Sequence, residues 1–263
     1  MLSVRPPAVA GMFYFDDPQK LKQHITQYLS FARHFDLTPK ALIVPHAGHM
    51  YSGEIAATGY ATLLPLAAKI RRVVLLGPTH RVAVRGLALP GVEAFDTPLG
   101  RIPLDTELAD QLSRFPQISI NPQVHAQEHS LEVQLPFLQC VLEDFTLLPL
   151  AVGMATAEEV AEVLKAVWGG EETLIVISSD LSHYLPYAAS QQIDLATAKQ
   201  IIEFNHNVTH DHACGATPIN GLLLAAQQHH LTPHLLDLRN SGDTAGSKDK
   251  VVGYASFAFT EGS

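Results

Sequence analysis

Three histidines stand where an enzyme built on a sheet would carry its reactive groups. His46 follows the apolar run Ala41-Leu-Ile-Val-Pro45, His80 follows Arg72-Val-Val-Leu-Leu-Gly-Pro-Thr79, and His183 lies just beyond Thr173-Leu-Ile-Val-Ile-Ser178. Short, fully apolar runs of this kind are strands buried on both faces. In open α/β sheets, ligands bind beyond the carboxyl ends of the strands. Three strands therefore each deliver an imidazole to one rim. Imidazole ligates transition metals and titrates near neutral pH, so the chemistry implied is metal binding, proton transfer or both. Asp180, three residues before His183, adds a carboxylate able to fix a histidine's tautomer and raise its basicity.

Three other stretches carry reactive side chains, each with a plainer reading beside the chemical one. Gln127-Glu-His-Ser-Leu-Glu132 sets Glu128 and His129 at what reads as the start of a helix running to Leu142, where the backbone amides favour an anion. The plainer reading of Glu128 is an acidic first turn. Asn240-Ser-Gly-Asp-Thr244 lies past a late strand, so Asp243 is either an oxygen ligand or part of a Gly-Asp turn. Cys214 opens a helix, a position that can activate a thiol, although most such cysteines are small buried hydrophobes. His206, His210, His212, His229, His230 and His234 fall in polar connections and helix ends and read as solvated.

The elements that must position these residues alternate between strand and helix. Asp17-Pro18 caps a helix to about His34, a second helix follows His46, and Arg72–Leu76 is a buried strand. Gly86–Pro90 reads as a strand, Phe95–Leu104 as a hairpin, and Asp105 as the cap of another helix. Thr156-Ala-Glu-Glu159 has capping-box spacing for a helix through Trp168. Helices near 188–204 and 216–228 precede strands near 234–238 and 251–259. This order predicts an α/β fold: a mostly parallel central sheet with helices on both faces and antiparallel C-terminal strands, in a single domain over residues 1–263.

Composition limits the function. Of 263 residues, 47% are apolar and 16% charged, which is the balance of a globular protein with a sizeable core. The net charge of −9, with no basic cluster, argues against nucleic acid or an anionic membrane as partner. No apolar run approaches the roughly 18 residues of a membrane span, and Met1–Asp17 lacks an uninterrupted apolar segment for export, so a cytoplasmic location is expected. Two cysteines without a C-x-x-C leave imidazole and carboxylate as the main metal ligands.

Taken together, the motifs resemble the Memo family, known in bacteria and archaea as AmmeMemoRadiSam system protein B. The resemblance is carried by Arg5-Pro-Pro-Ala-Val-Ala-Gly-Met-Phe-Tyr14, Pro45-His-Ala-Gly48 with Tyr51-Ser-Gly53, and Leu76-Gly-Pro-Thr-His80. Glu128-His-Ser-Leu-Glu-Val-Gln-Leu-Pro-Phe137, Ser178-Ser-Asp-Leu-Ser-His183, Cys214-Gly-Ala-Thr-Pro-Ile219 and Val252-Gly-Tyr-Ala-Ser256 continue it in order along nearly the whole chain. That family is related in fold to the class III extradiol ring-cleaving dioxygenases, which use non-haem Fe(II). The resemblance implies His46 and His80 as metal ligands, His183 as general base and Asp180 as a polar neighbour of the site; His129, from its place beside Glu128, is a further catalytic candidate. The resemblance implies Fe(II) as first choice of metal, with copper or zinc as alternatives, or no metal at all. Dioxygenases take a glutamate as third ligand and animal members of the family a cysteine. Here the stretch is Ser241-Gly-Asp-Thr244, where Asp243 would complete a two-histidine, one-carboxylate set and an ungapped comparison puts Thr244 opposite the cysteine.

Two functions follow as expectations. One is a metal-dependent, dioxygenase-like oxidoreductase acting on an unidentified substrate. The other is a non-catalytic protein on the same scaffold that binds a small molecule, a peptide, or the radical-SAM and protein A partners that the family's name records. A zinc-type hydrolase with an overlapping ligand set ranks behind both.

Overall fold

The computed structural model describes residues 3–262. The chain opens with β1 (Val4–Arg5), α1 (Pro18–Phe31), β2 (Pro39–Val44), α2 (His49–Ala61) and β3 (Arg72–Pro78). Next come β4 (Leu87–Leu89), β5 (Ala94–Thr97), β6 (Gly100–Pro103), α3 (Thr106–Leu112), β7 (Ile118–Ile120), α4 (Pro122–Ala126) and α5 (Leu135–Val141). β8 (Thr146–Val152), α6 (Ala157–Ala166), β9 (Thr173–Ser178), β10 (His183–Leu185) and α7 (Tyr187–Ile202) follow, and α8 (Ala216–Gln228), β11 (Leu231–Asn240) and β12 (Val251–Glu261) close the chain.

A nine-stranded sheet runs in the order β10-β12-β2-β9-β3-β8-β4-β7, with β11 also paired to β12. β2, β9, β3 and β8 are mutually parallel, whereas β12 is antiparallel to β2 and β4 to β8. The predicted architecture is thus present: a mixed, mostly parallel sheet with antiparallel strands supplied from the C-terminus. A separate small sheet, β1-β5-β6, contains the predicted hairpin.

Alternation along the buried strands divides the core between two faces. Ile43, Val74, Leu76, Ile175 and Ile177 point to one, where α6 and α8 pack. Leu42, Val44, Val73, Leu75, Leu174 and Val176 point to the other, beneath α1, α2 and α5. Because both faces are covered, the strands read in sequence as continuous apolar runs and not as alternating ones. Local signals hold as well: Asp17 accepts from the Lys20 amide at the start of α1, and Thr156 and Glu159 form the reciprocal capping box of α6.

One expected element fails. Glu128–Leu131 is not helical; only a short 3-10 turn, Glu132–Gln134, precedes α5. The Glu128 carboxylate accepts the amides of His129 and Ser130, offering the backbone a partner that competes with helix formation. The segment becomes a loop laid across the ends of the central strands.

Candidate metal centre

Three adjacent parallel strands end in the same way. His46 lies two residues past β2, His80 two past β3 and Asp180 two past β9, the strand between them. The loop from 127 to 131 brings His129 over the same rim. The result is a group of three imidazoles, His46, His80 and His129, each offering a nitrogen within 4.8 Å of the other two. Ring centroids are 5.2 Å apart for His46 and His80, 5.4 Å for His46 and His129, and 4.5 Å for His80 and His129. Burial is graded: His46 is buried, His129 half-buried and His80 exposed.

Hydrogen bonds around the group settle which nitrogens face inward. Ser178 Oγ donates to the Ser130 carbonyl at 2.6 Å and accepts from Gln134 Nε2 at 2.8 Å. Its hydroxyl proton is therefore committed, and its contact with His46 Nδ1 at 2.9 Å makes that nitrogen the donor. Nε2 of His46 is left as the acceptor, with the Cys214 thiol 3.4 Å away. Gln134 is itself pinned, donating to the Pro45 carbonyl and accepting from the Tyr60 hydroxyl.

Glu128 does the same for His80. Its Oε1 lies 2.8 Å from His80 Nδ1 and 3.4 Å from His129 Nδ1, and its Oε2 accepts the His80 amide at 2.5 Å. Burial pushes this carboxylate's pKa up, but the His80 ring and the His80 and Ser130 amides more than reverse that and hold it at about 2. An ionised Glu128 accepts only, so His80 Nδ1 carries a proton and Nε2 is the nitrogen left for an ion. Carboxylate-backed and hydroxyl-backed imidazoles of this kind are the usual outer support of a metal site.

His46 and His129 are also held neutral. Burial, reinforced by the neighbouring His80, lowers His46 to about 3, and burial with His46 and His80 beside it lowers His129 to about 4. Metal binding competes with protonation, so at neutral pH these nitrogens carry no proton to displace. The donor set fits a transition metal with a preference for imidazole.

The expected residues separate. Asp180 is buried and shapes the site from behind: its Oδ1 accepts the amides of His46 at 2.7 Å and Ala47 at 3.3 Å, fixing the turn that carries His46. Burial keeps its pKa raised despite those bonds. His183, on β10, lies outside the three-imidazole group. Asp243 stands apart from the group. Its Oδ2 accepts the Asn240 amide at 2.9 Å and its Oδ1 the Tyr187 hydroxyl, so the carboxylate caps the short turn after β11 and is not a member of the group. Thr244 likewise turns its hydroxyl to the Tyr51 carbonyl at 2.8 Å.

One residue read from sequence as a small hydrophobe belongs here. Cys214 Sγ lies 3.4 Å from His46 Nε2. Gly215 makes this approach feasible, since a Cβ there would meet the Ser179 side chain at 2.6 Å, so only glycine lets the start of α8 rest on the end of β9. The thiol is not activated: burial, with Asp180 adding to it, pushes Cys214 up to about 12. His80 and Cys214 both line a cleft of about 780 Å³, which gives the group an open side.

Comparison with known proteins places the chain in a family. The family model described as Memo-like protein matches residues 5–258. The chain belongs to the Memo-like family. It is 34% identical to a MEMO1 family protein of Aquifex aeolicus, covering 98% of this chain and all of the relative. It is 36% identical to another from Sulfolobus acidocaldarius, covering 97% and 99%. Among solved structures, the uncharacterized Escherichia coli K12 protein JW3007 superposes with a TM-score of 0.53 at 15% identity, over 81% of this chain and 98% of that one. That likeness speaks to the fold alone. Among the described residues, no helix of this Memo-like protein is long and apolar enough to cross a membrane.

Proposed function

We propose that this Memo-like protein is a metal-dependent oxidoreductase that holds one transition-metal ion on His46, His80 and His129 and acts on a small substrate entering from the adjoining cleft. The observation that carries the reading is the paired orientation of two rings: Ser178 and Glu128 engage Nδ1 of His46 and His80, leaving both Nε2 atoms for an ion beside the imidazole of His129. Iron, copper and zinc all accept imidazole ligands. Fe(II) is our first choice, supported by the resemblance of the strand-end motifs to the extradiol dioxygenases. When bound, Fe(II) supplies a place for O₂ and an oxygen-bearing substrate to meet. The chain's own residues do the remaining work: Ser178 and Glu128 orient the rings, Asp180 fixes the His46 turn, and His183 moves a proton at a substrate hydroxyl.

The test is metal analysis of protein purified without chelator, followed by oxygen uptake with Fe(II) and a catechol. We expect stoichiometric metal, lost in a His46→Ala/His80→Ala variant, and uptake that falls with it. Absence of metal from the wild type, or equal metal in the variant, would overturn the reading.

A second reading has one observation in its favour: the commitment of Asp243 to its own turn leaves the site without a carboxylate ligand. A non-catalytic role, with a peptide or a radical-SAM or protein A partner over the same rim, then accounts for the scaffold. Bound metal without any oxygen uptake across a catechol series supports this alternative.

A further inference from the structure

The cleft beside His80 has a charge pattern that metal binding does not use. Its lining includes Arg81 and Arg85, both exposed. Arg5, Arg71, Arg72, Arg101 and Arg239 each pair with a carboxylate; among the described residues Arg33, Arg81, Arg85 and Arg114 have no such partner, and of these four Arg81 and Arg85 share the lining of this cleft. On a chain of net charge −9, acidic groups are abundant, and two unneutralised guanidinium groups on one concave surface stand out. The lining holds one carboxylate, Glu159, whose Oε2 accepts the Thr156 amide at 2.9 Å in the α6 capping box and keeps its charge. With two guanidinium groups against one carboxylate, the cleft presents net positive charge.

Its walls are also built. The Met154 amide donates to the Val84 carbonyl at 2.8 Å, Gly86 to Met154 at 2.8 Å, and Gly153 to Gly86 at 2.9 Å. These bonds lock the turn that bears both arginines to the end of β8, so binding would order little backbone. Val82 and Met154, exposed at 36% and 73%, add apolar surface to the lining. A volume of about 780 Å³ falls in the range of small-molecule sites, which combine apolar lining with a few placed polar groups. Arg81 directly follows His80, so an anion held there keeps the rest of the ligand near the imidazole group.

We propose that this cleft binds a small organic anion, its carboxylate or phosphate held by Arg81 and Arg85 and its apolar body lying against Val82 and Met154. Guanidinium groups suit both anions through forked, charge-assisted hydrogen bonds. The assignment of this ligand as the substrate rests on the metal reading; the anion recognition does not.

The experiment measures binding of benzoate, phenyl phosphate and benzyl alcohol by ligand-observed NMR, in a buffer free of carboxylate and phosphate. Wild-type protein should bind the two anions about tenfold tighter than the neutral alcohol, the scale of one charge-assisted hydrogen bond. Protein stripped of metal by chelator should keep that preference, which separates this proposal from the metal site. An Arg81→Gln/Arg85→Gln variant, altered only at exposed positions, should bind all three alike. Preference for benzoate assigns the ligand as a carboxylic acid and preference for phenyl phosphate as a phosphoester. Equal binding of alcohol and anions by the wild type, or an unchanged preference in the double variant, overturns it.

Discussion

Two glutamates four residues apart, both almost fully buried, do opposite things. Glu132 accepts the Arg5 guanidinium at 2.7 Å, the Ala8 and Val9 amides and the Tyr14 hydroxyl. Every partner is a structural group, and the cluster ties the N-terminal segment to the loop before α5. Glu128 accepts backbone amides too, but its side-chain partners are the imidazoles of His80 and His129. Residue type and burial are the same; the difference is what stands opposite. A guanidinium is always charged and closes its ion pair completely. An imidazole bonded through one nitrogen keeps a second, with a lone pair, for something else. The first cluster ends in itself, and the second faces a cleft.

The largest expected effect breaks the closed cluster. Glu132→Gln leaves the Arg5 charge, 5% exposed, buried without a counter-ion. Removing one partner of a buried pair costs about 3–5 kcal/mol, which chemical denaturation would read as a large drop in midpoint. Glu128→Gln should destabilise much less, because its imidazole partners are not permanent cations. Its expected signature is elsewhere: metal affinity falling by about 10- to 100-fold, as is usual when an outer-shell carboxylate is lost, measured by competition with a chromophoric chelator. If Glu128→Gln instead proves as destabilising as Glu132→Gln with metal affinity intact, the two glutamates are structural alike.

How far these roles were legible follows from the same contrast. The buried strands announce themselves because β2, β3 and β9 are apolar on both faces, and with them the strand ends at His46 and His80; the third imidazole expected at that rim, His183, instead begins β10, and Asp180 stands two residues past β9. The hydrogen bonds that separate Glu128 from Glu132 link residues 48 and 127 positions apart, and no local pattern encodes such pairings. The loop that carries His129 was hidden for a different reason. Glu128-His-Ser-Leu looks like a helix start, and only the return of the Glu128 side chain onto its own following amides prevents it. Cys214 reads as a small buried hydrophobe because most cysteines at helix starts are, whereas its contact with His46 comes from the packing of Gly215 on Ser179. Asp243 was nominated by the order of family motifs, although Asn240-Ser-Gly-Asp243 already spells the spacing of a capping box. The local hydrogen bonds won.

That last residue gives the smallest effect and the sharpest discrimination. Asp243 holds the Asn240 amide and the Tyr187 hydroxyl, contacts an amide side chain can partly reproduce. Asp243→Asn should therefore cost no more than about 1 kcal/mol, the scale of a capping interaction, visible as a thermal midpoint lowered by a few degrees. Metal stoichiometry and affinity should be unchanged, because the three imidazoles and their supports at Ser178 and Glu128 are untouched. Loss of metal from this variant would mean that the turn after β11 opens on binding and that the carboxylate moves in. The site would then be a two-histidine, one-carboxylate centre, with His129 freed for proton transfer. Retention of metal leaves the carboxylate charge of the centre in Glu128, behind the ligands and not among them.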